Sequence, residues 1–517
     1  MVYGIDLGTT YSVIAGCDEH DMVRVINNGE DHGSTVTPSV VLFDKDTGKP
    51  VVGTVAKENM QLRGFGEQAI SLFKLKMGQS YCNETVLFQN TPRQVSPVEG
   101  SACILHYLRS YACMNQGNNQ SFKAVVTVPT SFSFEQRSCT KKAAELAGIE
   151  VLGLLQEPTA AAISYNIQAG ETVLVFDLGG GTLDVSVVKN ESGNYRVLGV
   201  ASDSDVVGID NHIGGKDWDE KLIEYALNKL PTEIDRANSY KEAKLRNAAE
   251  RCKIALTQMN QCLFSYNDDS VMITRSDFER ITKSLVNNCV KVVEKAIEDA
   301  QKNYGSDVLK IDRFVLAGGS SNMPMIKPAL IRRFAERYAN GRPQNEWLHL
   351  QNPERAIAEG AAKYANLIDS GIVEKIIDKS PYSYGTLCIK NEVPTVANLI
   401  LPSDPMVIKG EVYSFGARNP KRINVDVVES KCELRDFPAD KVPFKKIYDK
   451  DYLFEREVQI GTEVNFTVSR NKDGLIDIVV SCDGQPEKSY PIDTNTSPIS
   501  KEVEQQIIES ILLMDED

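Results

Sequence analysis

Hydrophobic positions along the first two-thirds of the chain form two alternating kinds of segment. Short β-branched runs at Val2–Ile5, Ser12–Gly16, Ala124–Val128, Thr172–Asp177, Asp184–Lys189 and Arg313–Ala317 are bounded by glycines or polar turns and predict strands. Helical patterns lie between them. Ser133-Phe134-Glu135-Gln136 reads as a capping box opening a helix that stops at Gly148. Asp219–Leu230 is amphipathic and ends before Pro231, Tyr240–Met259 is one long helix, and Met325–Tyr338 is helical. This alternation predicts α/β layers, with helices covering strands. From about Pro381 to Pro498 the helical period nearly vanishes. Alternation replaces it at Arg422–Val428, Glu463–Val468 and Leu475–Ser481, with Asn471-Lys472-Asp473-Gly474 as a hairpin turn, which predicts a separate all-β domain. Gly371–Ser380 is a short, charged junction between the two regions. At the end, Ser500–Met514 is one amphipathic helix with Val503, Ile507, Ile508, Ile511 and Leu512 along one face.

An internal repeat carries the most chemistry. Tyr3-Gly4-Ile5-Asp6-Leu7-Gly8-Thr9-Thr10 and Leu174-Val175-Phe176-Asp177-Leu178-Gly179-Gly180-Gly181-Thr182 share one plan: apolar strand, Asp-Leu-Gly, Gly/Thr turn, second strand. Two such lobes suggest a duplicated pair facing one ligand. Gly and Thr at the turns expose backbone N–H groups and hydroxyls that suit phosphate. Asp6 and Asp177 then stand at strand ends where a Mg²⁺ between phosphates would sit. The other reading is a pair of hairpins with structural aspartates. Gly318-Gly319-Ser320-Ser321 is a further backbone-amide turn before a helix. Glu250, Lys253 and Thr257 share one helix face and can meet a nucleoside, or simply face solvent. Glu157, just before Pro158, orients a water or caps its helix. Lys74 suits a γ-phosphate or the attacking water.

Composition narrows the function. With 57 Lys and Arg against 71 Asp and Glu, the net charge of −14 opposes non-specific nucleic-acid binding and docking on anionic membranes. No run of 18 apolar residues occurs, and Met1–Asp6 has no secretory pattern. The eleven cysteines are scattered without a C-x-x-C pair, so they read as packing residues in a reducing compartment, and a cytoplasmic location is expected. No P-loop motif occurs.

The chain resembles the seventy-kilodalton heat-shock protein family, the DnaK-type chaperones. The resemblance rests on Gly4–Ser12, Val126–Phe132, Glu157–Tyr165, Asp177–Ser186, His212–Asp219, Glu250–Thr257 and Asn352–Ala362. It is specific over residues 1–370 and looser over 381–500. It implies a two-lobed actin-like ATPase domain with ribonuclease-H-like sheets over 1–370, a linker over 371–380, a β-sandwich peptide-binding domain over 381–498 and a short lid helix over 499–517. ATP/ADP, Mg²⁺ and K⁺ are the implied cofactors. Carried over by position, Lys74, Glu157, Asp177, Thr182 and Asp6 form the catalytic set. Asp6, Asp177 and Glu157 would arrange the water shell of Mg²⁺, and Asp6 and Asp184 would help hold K⁺. Gly8, Thr9, Thr10, Tyr11, Gly179, Gly180, Gly181, Thr182, Gly318, Gly319 and Ser320 line the phosphate side. Glu250, Lys253 and Thr257 would hold the nucleoside. Ile423 and Val425 are candidates for the peptide pocket, with core strand positions as the alternative.

Three departures follow from the same comparison. Asn322 stands where the family usually has an arginine that stacks on adenine, and Ile254 offers no cation, so weak adenine affinity is expected. The linker carries Glu374 and Lys375 inside its apolar run, which puts coupling between domains in doubt. One helix stands for the lid, so fast peptide exchange is expected. Implied partners are unfolded polypeptides, a J-domain co-chaperone and a nucleotide-exchange factor, without nucleic acid or membrane. The competing readings are an actin-like ATP-binding scaffold with uncoupled or client-dedicated ATPase, and a small-molecule kinase of the same superfold.

Overall fold

The computed structural model describes all residues except 19, 29–32, 83, 115–120, 193, 208, 210–212, 232–235, 306–308, 372–381, 402–403, 405–407, 433, 471–475, 492–498 and 516–517. β1 (Val2–Asp6) and β2 (Tyr11–Cys17) form an antiparallel hairpin that β3 (Val23–Val25) extends. Beyond α1 (Thr54–Asn59) and α2 (Pro97–Met114), β4 (Lys123–Val128) and β5 (Glu150–Gln156) add in parallel on the other side of β1. α3 (Phe134–Leu146) joins β4 to β5, and α4 (Glu157–Ser164) follows β5 directly. The expected capping box opens α3: Ser133 Oγ accepts from the Gln136 N–H at 3.3 Å, and Gln136 Oε1 accepts from the Ser133 N–H at 2.9 Å. The helix ends before Gly148, whose φ of 77° suits glycine.

The second sheet repeats this plan. β6 (Thr172–Leu178) is central, with β7 (Leu183–Glu191) and β8 (Asn194–Ser202) antiparallel on one side. α5 (Gly215–Leu227), α6 (Ser239–Gln258) and the hairpin β9 (Gln261–Tyr266) to β10 (Asp269–Thr274) come next. β11 (Arg313–Ala317) then pairs in parallel with β6, and β12, the short strand Leu348–His349 beyond α7 (Ile326–Tyr338), continues the sheet. α8 (Ala356–Asp369) follows. Strand order and direction match between the two sheets, as the repeat predicts. α5 begins four residues before its expected start, because the Asp217 carboxylate accepts from the Gly214 N–H at 2.8 Å and draws the glycines into the first turn.

α4 and α8 fill the seam between the sheets. Ala160, Ala161 and Ala162 on one helix and Ala358, Ala361 and Ala362 on the other form one core with Val125, Val173 and Val315 of the strands. Nothing larger fits. A Cβ on Gly360 would lie 1.7 Å from the Ala160 carbonyl oxygen, and one on Gly4 would lie 2.0 Å from the Ala362 nitrogen.

Between Ser383 and Pro491 the described elements are all strands. β13 (Ser383–Lys390), β14 (Val393–Ile400), β15 (Ile408–Gly416), β16 (Arg422–Ser430), β17 (Asp436–Pro438), β18 (Phe444–Leu453), β19 (Glu463–Arg470), β20 (Ile476–Cys482) and β21 (Lys488–Pro491) make two sheets. Their orders are β17-β14-β13-β16-β18 and β15-β19-β20-β21. Val425, Val427 and Tyr448 meet Val464, Phe466 and Val480 between them. The expected hairpin turn and the linker at 372–380 lie outside the described residues.

α9 (Lys501–Asp515) packs on the first lobe, against α2. Val503, Ile507 and Ile511 enter the core of that lobe, whereas Ile508 and Leu512, expected on the same face, are exposed. The apolar stripe is therefore narrower than its sequence pattern. Ser510 Oγ donates to Glu99 at 2.6 Å, and Lys142 pairs with Glu504 at 2.7 Å. Among the described residues no helix is long and apolar enough to cross a membrane.

Two outcomes are expected. Gly360→Val forces the seam apart and lowers unfolding free energy by about 3 kcal/mol or more; an unchanged thermal midpoint would contradict the packing. Ile507→Asp detaches α9, so its amides should exchange with solvent much faster while those of β1 and β6 do not.

Candidate functional site

The two Gly/Thr turns meet in a cleft of about 430 Å³ between the lobes. They abut so closely that a Cβ on Gly180 would fall 1.9 Å from Thr10 Oγ1, and one on Gly181 2.7 Å from Thr9 Cγ2. Asp6 and Asp177, at the ends of β1 and β6, both line the cleft, as do Gly8, Thr9, Thr10, Tyr11, Gly179, Gly180 and Thr182. Gly318, Gly319 and Ser320 complete the wall from the end of β11. Gly318 has φ 75°, and a Cβ there would lie 2.7 Å from Asp177 Oδ1. Positive φ and close approach both require glycine at this point.

The floor is a cluster of buried charge. Lys74, in the short 3₁₀ turn Phe73–Lys76, donates from Nζ to Glu157 Oε1 at 2.6 Å, and both side chains are 7% exposed. Leu72 just before that turn takes a left-handed φ of 56°. Such a conformation costs energy in a residue with a branched side chain and persists because its surroundings fix it. Burial pushes the Asp6 carboxyl up to about 7, helped by the Glu157 charge and opposed by Lys74. Burial, then Glu157 and Asp203, push Asp184 up to about 8. Asp177 is raised well above the usual range by burial and by Glu157, Asp184 and Asp6. Burial works to lower the Lys74 ammonium, but Glu157, Asp6 and Asp177 outweigh it and hold it up. Four carboxyl groups thus share one lysine, a surplus of negative oxygen that suits a hard divalent cation. Among the described residues no three His, Cys, Asp or Glu side chains form a direct ligand cage. Carboxyl oxygens of this kind suit Mg²⁺, a hard cation that usually keeps several waters.

Across the cleft, α6 presents Glu250, Lys253 and Thr257. Glu250 Oε1 accepts from Tyr11 OH at 2.9 Å and its Oε2 accepts from Lys57 Nζ at 2.5 Å. Burial works to raise the Glu250 carboxyl, yet Lys57 and Lys253 hold it below the ordinary range. Lys253 Nζ donates to the Gly215 carbonyl at 3.0 Å and to Asp219 at 2.8 Å. Thr257 Oγ1 bonds back to the Lys253 carbonyl at 3.1 Å.

Some expected residues stand elsewhere. Asp184 lies beneath the floor, buried opposite Asp177 in the β6–β7 ladder, and Gly181 faces Thr9 behind the lining. Asn322 is exposed and lines a neighbouring depression with Pro324 and Lys327, while Met323 and Ile254 reach the cleft. Ile423 lines a groove of about 810 Å³ in the β unit, with Leu387, Ile389, Phe415 and Phe466; Val425 is fully buried in the sandwich core. Sequence reasoning missed Lys57, Arg246 and Asp219 on the cleft wall. For Asp219 a signal existed in Gly214-Gly215-Lys216-Asp217-Trp218-Asp219, which opens α5 against the turns. A Cβ on Gly214 would lie 2.4 Å from the Gly181 carbonyl carbon.

Known proteins agree with this geometry. The profile described as Hsp70 protein matches residues 2–444. The chain is 32% identical over 455 residues to "Chaperone protein DnaK" of Mycoplasmopsis synoviae, covering 84% of this chain and 70% of that one. It is 32% identical over 451 residues to "Chaperone protein DnaK" of Mycoplasma mobile, covering 84% and 69%. With "Chaperone protein DnaK" of Mesomycoplasma hyopneumoniae identity is 31% over 456 residues, covering 84% and 69%. The paired sheets, the cleft between them and these matches lead to one conclusion: the chain belongs to the Hsp70 family, a family of ATP-dependent chaperones that bind ATP or ADP with Mg²⁺.

Proposed function

We propose that ATP binds with its phosphates between the two Gly/Thr turns and its nucleoside against α6, and that its hydrolysis controls capture of extended polypeptide in the β unit. The abutment of Gly180 on Thr10 carries this reading, because it brings backbone donors of both turns onto one small volume. Phosphoryl transfer needs mainly positioning and charge stabilisation. Thr9, Thr10, Gly179, Gly180 and Gly318 to Ser320 supply donors to the phosphate oxygens. Lys74 holds the attacking water in line, and Glu157 holds Lys74 and accepts from that water. Thr182 completes the second turn. Asp6, Asp177, Asp184 and Glu157 would hold the Mg²⁺ waters, and Asp6 and Asp184 would help hold K⁺. When bound, Mg²⁺ would supply positive charge to offset the charge that builds on the phosphate oxygens.

The nucleoside side of the proposal uses Glu250, Lys253 and Thr257. Glu250 is already committed to Lys57 and Tyr11, so ribose contacts are built on a bridge that also joins the two lobes. Ile254 and Met323 give the base apolar walls rather than a stacked guanidinium. Extended polypeptide would lie in the groove that contains Ile423, where main-chain bonding tolerates many sequences. The proposed division of the chain is 1–370, 371–380, 381–498 and 499–517, and a J-domain protein and an exchange factor are the proposed partners.

The test is single-turnover ATP hydrolysis with and without an unfolded apolar peptide. Stimulation by peptide supports nucleotide-controlled capture; indifference would favour an uncoupled scaffold. Lys74→Ala is expected to lower the single-turnover rate roughly a hundred-fold or more while ATP still binds. A near-normal rate would remove Lys74 from the mechanism. The acid cluster also sets a pH dependence. Asp6 and Asp184 have folded values near 7 and 8, above the ordinary 3.8, so the folded chain holds the extra protons. Their contribution to stability is therefore fully present below about pH 4 and is lost as pH rises from there to the folded values. In Mg²⁺-free, nucleotide-free protein the melting temperature should fall between about pH 4 and pH 8, and Asp184→Asn should flatten the slope. A slope unchanged by the substitution would contradict the assignment.

A further inference from the structure

Among the described residues five cationic side chains line the cleft: Lys57, Lys74, Lys216, Arg246 and Lys253. Four of them are held by carboxylates at close range. Lys57 meets Glu250 at 2.5 Å and Lys74 meets Glu157 at 2.6 Å, while Lys253 meets Asp219 and Arg246 meets Glu242, each at 2.8 Å. Lys216 differs. Its one ion-pair partner among the described residues is Asp217 Oδ2, at 3.4 Å from Nζ. That oxygen already accepts from the Gly214 N–H at 2.8 Å, where α5 begins. Adjacent residues on a helix do not face one another, so this contact is weak. Lys216 is the cation of the cleft least committed to the protein. Backbone bonds fix where it stands. Its N–H donates to the Gly180 carbonyl at 2.9 Å, and the Gly215 N–H donates to the Gly179 carbonyl at 2.9 Å, so the start of α5 is tied to the second Gly/Thr turn. A Cβ on Gly215 would lie 2.4 Å from Ser320 Oγ and 3.1 Å from Lys253 Nζ. Lys216 therefore springs from the strip of wall between the glycine turns and α6.

We propose that Lys216 is the cation for the phosphates that are not transferred, binding an α- or β-phosphate oxygen of ADP and ATP alike. This rests on the proposed function, in which the transferred phosphate sits over the Lys74 floor and the nucleoside lies against α6. The remaining phosphates then lie between those two places, beside the strip that carries Lys216. An ammonium on a flexible four-carbon stem serves a phosphate as a point charge. The Lys216 side chain is 23% exposed, free enough to turn and shielded enough for its charge to be felt. Turning costs it only the long contact to Asp217. Lys57, Lys74, Arg246 or Lys253 would each have to loosen a close carboxylate to do the same, and a carboxylate left uncompensated in the cleft is costly.

The experiment titrates ADP and, separately, adenosine into the full chain in Mg²⁺ buffer, comparing the wild type with Lys216→Gln and Lys216→Arg. Lys216→Gln is expected to weaken ADP about ten-fold or more while adenosine affinity stays within about two-fold, since only ADP carries the phosphates. Lys216→Arg keeps the charge and is expected to recover most of the loss. Unchanged ADP affinity in Lys216→Gln overturns the proposal. So does equal weakening of ADP and adenosine, which would mark a fault in the fold of the cleft. A footprint of the wild type needs no variant: ADP should slow acetylation of Lys216 by an N-hydroxysuccinimide ester, read by peptide mass, and adenosine should not. Acetylation equally fast with and without bound ADP overturns the proposal and leaves the reading of the cleft intact. A wild-type chain that binds neither ADP nor adenosine overturns both.

Discussion

The seam between the two sheets sets the positions of everything else. Two helices built largely of alanine and glycine lie where bulkier side chains would hold the lobes apart. Gly360 rests on the Ala160 carbonyl and Gly4 on the backbone of α8. Because each helix follows the last strand of its own sheet, the contact fixes the sheets against one another through their equivalent elements. Only at this separation do the β1–β2 and β6–β7 turns touch. Close backbone approach excludes side chains at the seam and at the turns for the same steric reason, so the glycines at both places serve one geometry.

That geometry carries an electrostatic cost. Buried carboxylates are expensive when unpaired, and Lys74 pairs directly with only one of those around it. The raised Asp6, Asp177 and Asp184 carboxyls express this cost. Removing one partner of a buried pair typically costs about 3–5 kcal/mol, so the Lys74–Glu157 contact is not expendable on stability grounds either. Perturbed carboxyls gathered in a cleft are the physical mark of a candidate functional site. At the opposite wall the Glu250 bridge is balanced: Lys57 comes from the first lobe and Lys253 from the helix itself. One wall thus gathers several buried carboxyls around one lysine, and on the other the Glu250 carboxylate is held by two.

How much of this was legible in the sequence depended on range. The short strands, the capped start of α3 and the paired Asp-Leu-Gly turns are local patterns, and each appears within a residue or two of its expected place. The matching order of the two sheets follows from the repeat. Lys57 was not legible, because its partner Glu250 lies 193 residues away and a lone lysine in a short helix carries no pattern. Asn322 was expected at the base by position, yet the turn after Gly319 rotates it outward and brings Met323 in. For α9 the heptad-like spacing showed an apolar face but not its partner. Only three of the five apolar residues enter the core of the first lobe, and Ile508 and Leu512 stay exposed. Val425 shows the same limit in a strand: alternation predicts which side it faces, not whether that side is core or groove.

The β unit meets the first lobe around the start of α3. Phe134, the first residue of α3, enters the sandwich core with Tyr384 and Val427, and its N–H donates to Glu429 of β16 at 2.9 Å. A carboxylate at a helix N-terminus is favourable there, and this one comes from the other unit rather than from the helix's own cap, which Ser133 already supplies. Tyr382 OH donates to the Ser131 carbonyl at 3.2 Å, two residues beyond Pro129. Arg137 from the same helix donates to the Phe132 carbonyl at 3.2 Å and so ties the loop to α3. That loop ends β4, whose Thr127 hydroxyl approaches Asp6 at 3.5 Å. The contact surface of the sandwich is therefore one short loop away from a carboxyl on the cleft floor. Phe134 and Thr127 are thus joined by six residues of chain, so the β unit and the cleft floor share one short covalent connection through the end of β4.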